Sequence, residues 1–180
     1  MKALRLLFNM PDLARRGAAL ATLVAVGLLL ALGPVGCTRR SPAPAFDYTL
    51  LDGTRASSQA LRGKVVRVNF WATTCAICVQ EMPQIVATHR QFSGRGFETL
   101  AVAMRYDPPA LVANFAERRQ LPFGVVIDNT GAIARSFGDV QLTPTTVLID
   151  KRGAIVQRWV GKPDFPALQA LVAQLLAEPA

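Results

Sequence analysis

Apolar positions along this chain follow two rhythms in alternation. KVVRVNFW, residues 64–71, is a near-continuous apolar run rich in β-branched and aromatic residues, which predicts a central strand. Directly after it Cys78, Met82, Ile85, His89 and Phe92 recur at steps of four and three, the inward stripe of a helix from 75 to about 92, with Gly94 and Gly96 near its end. FETLAVAM (97–104) predicts a second buried strand. DPPALVANFAERRQ (107–120) opens with Asp and two prolines and then keeps helical spacing, which predicts a helix. LPFGVVID (121–128) predicts a third apolar strand and GAIARSFG (131–138) a short helix. TPTTVLID (143–150) and AIVQRWVG (154–161), joined by Lys151-Arg152-Gly153, predict a hairpin, and DFPALQALVAQLLAE (164–178) a closing amphipathic helix. Upstream, FDYTLLDGTRA (46–56) predicts a short strand turning at Asp52-Gly53. Such alternation predicts an α/β sandwich around a mixed sheet.

One segment breaks the pattern. Residues 17–36, GAALATLVAVGLLLALGPVG, hold no charge and, as a helix at about 1.5 Å per residue, reach roughly 30 Å, the thickness of a hydrocarbon core. Arg15 and Arg16 precede it, an orientation that keeps the N-terminal flank cytoplasmic and sends the rest of the chain outward. Residues 1–37 thus read as an uncleaved membrane anchor, a cleaved signal segment, or a lipoprotein leader acylated at Cys37 after Gly36. The length favours the anchor. TRRSPAPA, 38–45, reads as a linker, and the globular domain as 46–180. The expected location of the globular domain is the outer side of the cytoplasmic membrane.

The formal net charge of +8 changes little. Residues 1–41 hold six basic groups and one acid, and residues 42–180 hold 14 basic and 11 acidic groups, so most of the excess belongs to the appendage. Nucleic acid is not an expected partner.

The chemistry concentrates in FWATTCAICVQEMP, residues 70–83. A structural zinc site needs four ligands, yet the chain holds three cysteines and a single histidine, His89, which lies about 21 Å along the helix from Cys75. No metal site is expected, and His89 reads as a packing residue. The pair sits where a central strand ends and the next helix begins, the place where reactive groups gather in α/β sheets. Free N–H groups and the helix dipole there stabilise a thiolate on Cys75, and Cys78 lies one turn on, within reach of a mixed disulfide. Outside the cytoplasm such a pair is oxidised by default, so a reducing role needs an electron donor.

LRGKVVRVNFWATTCAICVQEMP, GFETLAVAM and LTPTTVLIDKRG, in that order and followed by a closing helix, resemble the TlpA/ResA-type thioredoxin-like thiol:disulfide oxidoreductases of bacterial envelopes. The resemblance covers roughly residues 46–178. It implies a thioredoxin-like fold with N-terminal strands and a strand–helix insertion at about 97–119, and Cys75 and Cys78 as a redox-active disulfide, attacking and resolving respectively. Pro83 matches a helix-kinking proline and Pro144 a cis-proline that lies against the disulfide. Trp71, Thr74, Thr143 and Pro144 fall in the substrate-binding set. Thr74 stands where the family usually has tryptophan, and Ala76-Ile77 lacks the proline or histidine of better-known relatives.

Asn69 matches the position of a buried aspartate that accepts a proton in thioredoxin, a task closed to an amide. Glu81, three past Cys78, is the carboxylate left near the motif, and burial would raise its pKa into a useful range. Protein thiols and disulfides are then the substrates, a membrane electron donor of the DsbD/CcdA type the reductant, and cytochrome c biogenesis one setting. No cofactor is called for. The competing readings are a copper-delivery module, for which the usual C-x-x-x-C and distant histidine are missing, and a peroxiredoxin-like antioxidant, for which Thr74 is the only support.

Overall fold

The computed structural model describes residues 40–179. The apolar segment 17–36 and Cys37 lie outside the described residues. Among the described residues no helix is long and apolar enough to cross a membrane.

Two short strands, β1 (Asp47–Thr49) and β2 (Arg55–Ser57), pair antiparallel around the turn at Asp52-Gly53. The main sheet follows: β3 (Val65–Trp71), β4 (Phe97–Ala103), β5 (Gly124–Ile127), β6 (Thr145–Ile149) and β7 (Ile155–Val160). Its spatial order is β5-β4-β3-β6-β7. The first three strands are parallel, and β6 runs antiparallel to both β3 and β7. Among the described residues four α-helices accompany the sheet: α1 (Ala76–Phe92), α2 (Pro109–Arg118), α3 (Ala132–Ser136) and α4 (Phe165–Ala177). The thioredoxin-like α/β arrangement with a mixed sheet and N-terminal strands matches the expectation, with residues 46–56, read as one short strand and a turn, forming two.

Every residue of β3 is buried, as befits a strand covered on both faces. Val66, Val68 and Phe70 point to one side, where they pack with Phe137 of the α3 end and with Phe46, Tyr48 and Leu50 of the N-terminal strands. Val65 and Trp71 point to the other. There Val65 meets Phe92 of α1 and Leu168, Val172 and Leu175 of α4, while Trp71 meets Cys78, Met82 and Ile85 of α1. Each large apolar side chain so enclosed contributes about 1.5–3 kcal/mol. Arg67 and Asn69 share the second face and are the polar exceptions in it.

Residues 40–43, expected to belong to the linker, run along the β6–β7 hairpin. Arg40 pairs with Asp150 (3.0 Å) and Glu178 (3.3 Å), Ala43 N–H donates to the Gly153 carbonyl (2.9 Å), and Ile155 N–H donates to the Ser41 carbonyl (2.7 Å). The cause is local. The turn at Lys151-Arg152-Gly153, with Gly153 at φ 77°, leaves backbone groups that a passing extended segment satisfies.

A candidate disulfide-exchange site at the start of helix α1

Strand β3 delivers the chain to the site. Beyond Trp71 the backbone leaves the sheet through Ala72, Thr73 and Thr74, and Cys75 takes the cap position of α1 with extended geometry (φ −89°, ψ 103°). Its sulfur accepts the Cys78 N–H at 3.2 Å. That N–H belongs to the first turn of the helix, which has no carbonyl partner inside it, and in the reduced protein the same bond favours an anionic sulfur. Cys75 and Cys78 are joined as a disulfide with Cα atoms 5.2 Å apart. Cys75 is half-buried and Cys78 fully buried, so the two sulfurs differ in what can reach them.

The loop is held from the side by Asp107. Its carboxylate accepts both the Thr73 N–H (2.5 Å) and the Thr73 hydroxyl (2.5 Å), and the side chain is 1% exposed. The sequence pattern assigns Asp107 to a helix start, but Pro108 is the cap of α2 and the carboxylate reaches across to the loop instead. With two charge-assisted bonds lost, Asp107→Ala is expected to cost about 3 kcal/mol of folding stability and to slow thiol exchange. Urea unfolding checks this, and a loss well under 1 kcal/mol means the loop is held elsewhere.

Beneath the cysteines lies a polar group of residues inside the core. Glu81, one turn past Cys78 on the same face of α1, is completely enclosed, and neither carboxylate oxygen has a hydrogen-bond partner. Burial pushes its pKa up to about 7, against the pull of the charges on Arg67 and Lys162. Asn69 accepts the Thr146 hydroxyl at 3.0 Å, and its amide nitrogen is unpartnered. His89 occupies the inward stripe, 5.4 Å from the Phe123 ring and 6.4 Å from the Phe97 ring, with its pKa lowered by burial. It takes no place beside the cysteines.

The remaining expected residues divide by exposure. The Thr143–Pro144 peptide is cis, Pro144 is buried, and its carbonyl accepts the Gly161 N–H at 2.8 Å. Because Phe70 pairs with Thr145, the register sets Pro144 alongside Trp71, at the end of the central strands from which the cysteine loop emerges. Thr74 is exposed, and Thr143 meets the Tyr106 hydroxyl at 3.3 Å. Trp71, expected among substrate-binding residues, is 0% exposed with its ring 5.1 Å from Phe115. A strand residue on a covered face cannot touch a docking protein, so Trp71 supports the site from behind.

Sequence reasoning passed over Tyr106 and Leu142, which are exposed large apolar side chains on the loops that carry Asp107 and Pro144, and it passed over Arg67. The signal for Arg67 was present, a lone charge inside an apolar central strand.

A thioredoxin-like sheet that presents a disulfide at the start of its first long helix defines the class of this protein. Residues 38–172 match the Redoxin family, and the chain belongs to it. Among curated proteins it is 35% identical over 100 residues to thiol-disulfide oxidoreductase ResA of Bacillus thuringiensis subsp. konkukian, covering 56% of this chain and 57% of that one. It is 31% identical over 120 residues to a ResA of Bacillus cereus, covering 67% and 68%. The chain thus spans somewhat more than half the length of the first of these relatives. Among solved structures, the thiol:disulfide interchange protein of Chlorobium tepidum TLS superposes with a TM-score of 0.71 at 29% identity, over 78% of this chain and 99% of that one.

Proposed function

We propose that this protein is a thiol:disulfide oxidoreductase of the bacterial envelope, working as a reductase of protein disulfides. The observation that carries the reading is the asymmetry of the pair: a half-exposed Cys75 whose sulfur accepts a helix N–H, backed by a buried Cys78 one turn inside. Attack by the Cys75 thiolate on a partner disulfide forms a mixed disulfide and releases the partner's other sulfur as a thiolate. Cys78 then gives up its proton, attacks Cys75, and releases the second partner thiol. Glu81 takes that proton. The partner gains two electrons and the Cys75–Cys78 pair loses them. Pro144 and Thr143 flank the partner's backbone, with Thr74, Tyr106 and Leu142 on the rim.

Re-reduction then falls to a membrane donor of the DsbD/CcdA type on the periplasmic side, near which residues 17–36 tether the domain; disulfide exchange itself is supported by the relative named thiol-disulfide oxidoreductase ResA. The substrate class includes haem-binding cysteines of cytochrome c precursors. What supports the reducing direction is the surroundings of Cys75: Ala76 and Ile77 offer no side-chain donor, and the nearest acid of the motif opposes a thiolate. Equilibration of the protein with glutathione buffers is expected to give a potential well below the roughly −120 mV of the strong periplasmic oxidants. A value near −120 mV reverses the direction and makes the protein an oxidase.

A further inference from the structure

Arg67 stands in the middle of β3, 1% exposed, on the face covered by α1 and α4. No bulk water reaches a guanidinium there, and burying one without compensation is costly. Nη2 donates to the Ile85 carbonyl at 3.0 Å and to the Thr99 hydroxyl at 3.3 Å, and the guanidinium carbon lies 5.9 Å from the centroid of the Phe97 ring. Nε and Nη1 have no partner. Ile85 lies one turn past Glu81 on α1, and Cys78 one turn before it. Glu81 likewise has both oxygens free of partners, as does the Asn69 amide nitrogen two residues along β3. Arg67 and Glu81 thus act on each other's charge inside the core, and Glu81 lies one turn of α1 past the cysteine that must lose a proton.

We propose that Arg67 is a positioning residue for disulfide exchange, the fixed positive charge that keeps the Glu81 carboxylate ionised between turnovers so that it can take the proton of Cys78. This rests on the reading of Glu81 as the proton acceptor. In the resolving step the Cys75–partner S–S bond breaks, the Cys75–Cys78 bond forms, the partner leaves as a thiolate, and the Cys78 proton moves to Glu81. Charge is conserved, and each turn requires Glu81 to shed its proton again. Without Arg67 the burial that raises its proton affinity would act with little opposition. The other charge acting on Glu81 is Lys162, on the exposed connection between β7 and α4; on Arg67 itself only Glu81 acts beside burial, and His89, further along α1, feels Arg67 and Glu98.

The test is the rate of mixed-disulfide resolution against pH, from 5 to 9, in the wild type, Arg67→Met, Arg67→Lys, Glu81→Gln and the Arg67→Met/Glu81→Gln double variant. The wild-type rate should rise through a midpoint near 7. Arg67→Met should move that midpoint alkaline by about one unit or more and slow the step roughly tenfold at pH 6. Arg67→Lys should restore it, and the double variant should behave as Glu81→Gln does. If Arg67→Met folds poorly, Arg67→Gln, polar and uncharged, should show the same alkaline midpoint. A midpoint unmoved in Arg67→Met or Arg67→Gln, while Glu81→Gln abolishes the limb, overturns the role of Arg67 alone. A limb that persists in Glu81→Gln overturns the reading of Glu81 and the role of Arg67 with it.

Discussion

In a Cys78→Ser variant, turnover of protein disulfides should fall by at least about a thousandfold while Cys75 accumulates as a stable mixed disulfide with its substrate. Removing one member of a catalytic pair usually removes nearly all that the pair contributes. The attacking sulfur keeps the features that activate it, because the N–H that bonds to it belongs to the backbone of residue 78 and survives the substitution. What is lost is the second nucleophile, fully buried one turn inside α1. Cys75→Ser should lose turnover equally and trap nothing. Brief alkylation of the reduced wild type should label Cys75, the half-exposed thiol, far ahead of Cys78, as read by mass spectrometry of the peptides. Labelling chiefly at Cys78, or a trap that forms only in Cys75→Ser, would exchange the two roles. Capture in the native host also identifies the substrate.

The elements were legible because periodicity reports burial, and burial of apolar groups built most of this fold. KVVRVNFW reads as a doubly covered strand, and all of Val65–Trp71 is buried. The stripe of Cys78, Met82, Ile85, His89 and Phe92 is the inner face of α1. The same rule hides whatever is polar and buried. Glu81 and Thr88 stand at helical spacing from Cys78 and Ile85, on the inner side of α1 and apart from the solvent-facing Gln80 and Gln84, but as polar residues they drop out of a pattern drawn from apolar positions. Resemblance singled out Glu81; the polar residues of β3 found their partners through pairings that join Arg67 to Thr99 and Asn69 to Thr146 across strands far apart in the chain. The bond from Asp107 to Thr73 spans 34 positions and had no local signature beyond an ordinary helix-start Asp. Long-range polar contacts depend on topology, which the order of elements constrains without fixing any single pair.

A buried base should also leave its mark on stability. Relative to Glu81→Gln, the wild type should lose roughly 3 kcal/mol of unfolding free energy as pH rises from about 4.5 to 8. The sign follows from the direction of the shift: Glu81 is raised from an ordinary 4.5 to about 7 by burial, so the folded protein holds this proton more tightly than the unfolded chain. Below 4.5 both states are protonated and nothing is lost. Between 4.5 and 7 the unfolded chain ionises first and is favoured, and above 7 the difference levels off, at about 1.4 kcal/mol per pH unit crossed. His89 runs the other way, since burial lowers its pKa and its contribution to stability grows as pH rises toward 6.5 and then levels off. Comparing the wild type with Glu81→Gln cancels it. Arg67, lowered by burial to about 9, stays protonated in the wild type over this range and adds no slope. Urea unfolding of both proteins, disulfide intact, at pH 4.5, 6 and 8 gives the three differences. A gap that is the same at all three pH values would mean that Glu81 titrates as an ordinary exposed acid. A gap that opens with pH identifies Glu81 as a carboxyl held inside the core against its own solvation, a cost to folding that is consistent with a group positioned to exchange protons with Cys78.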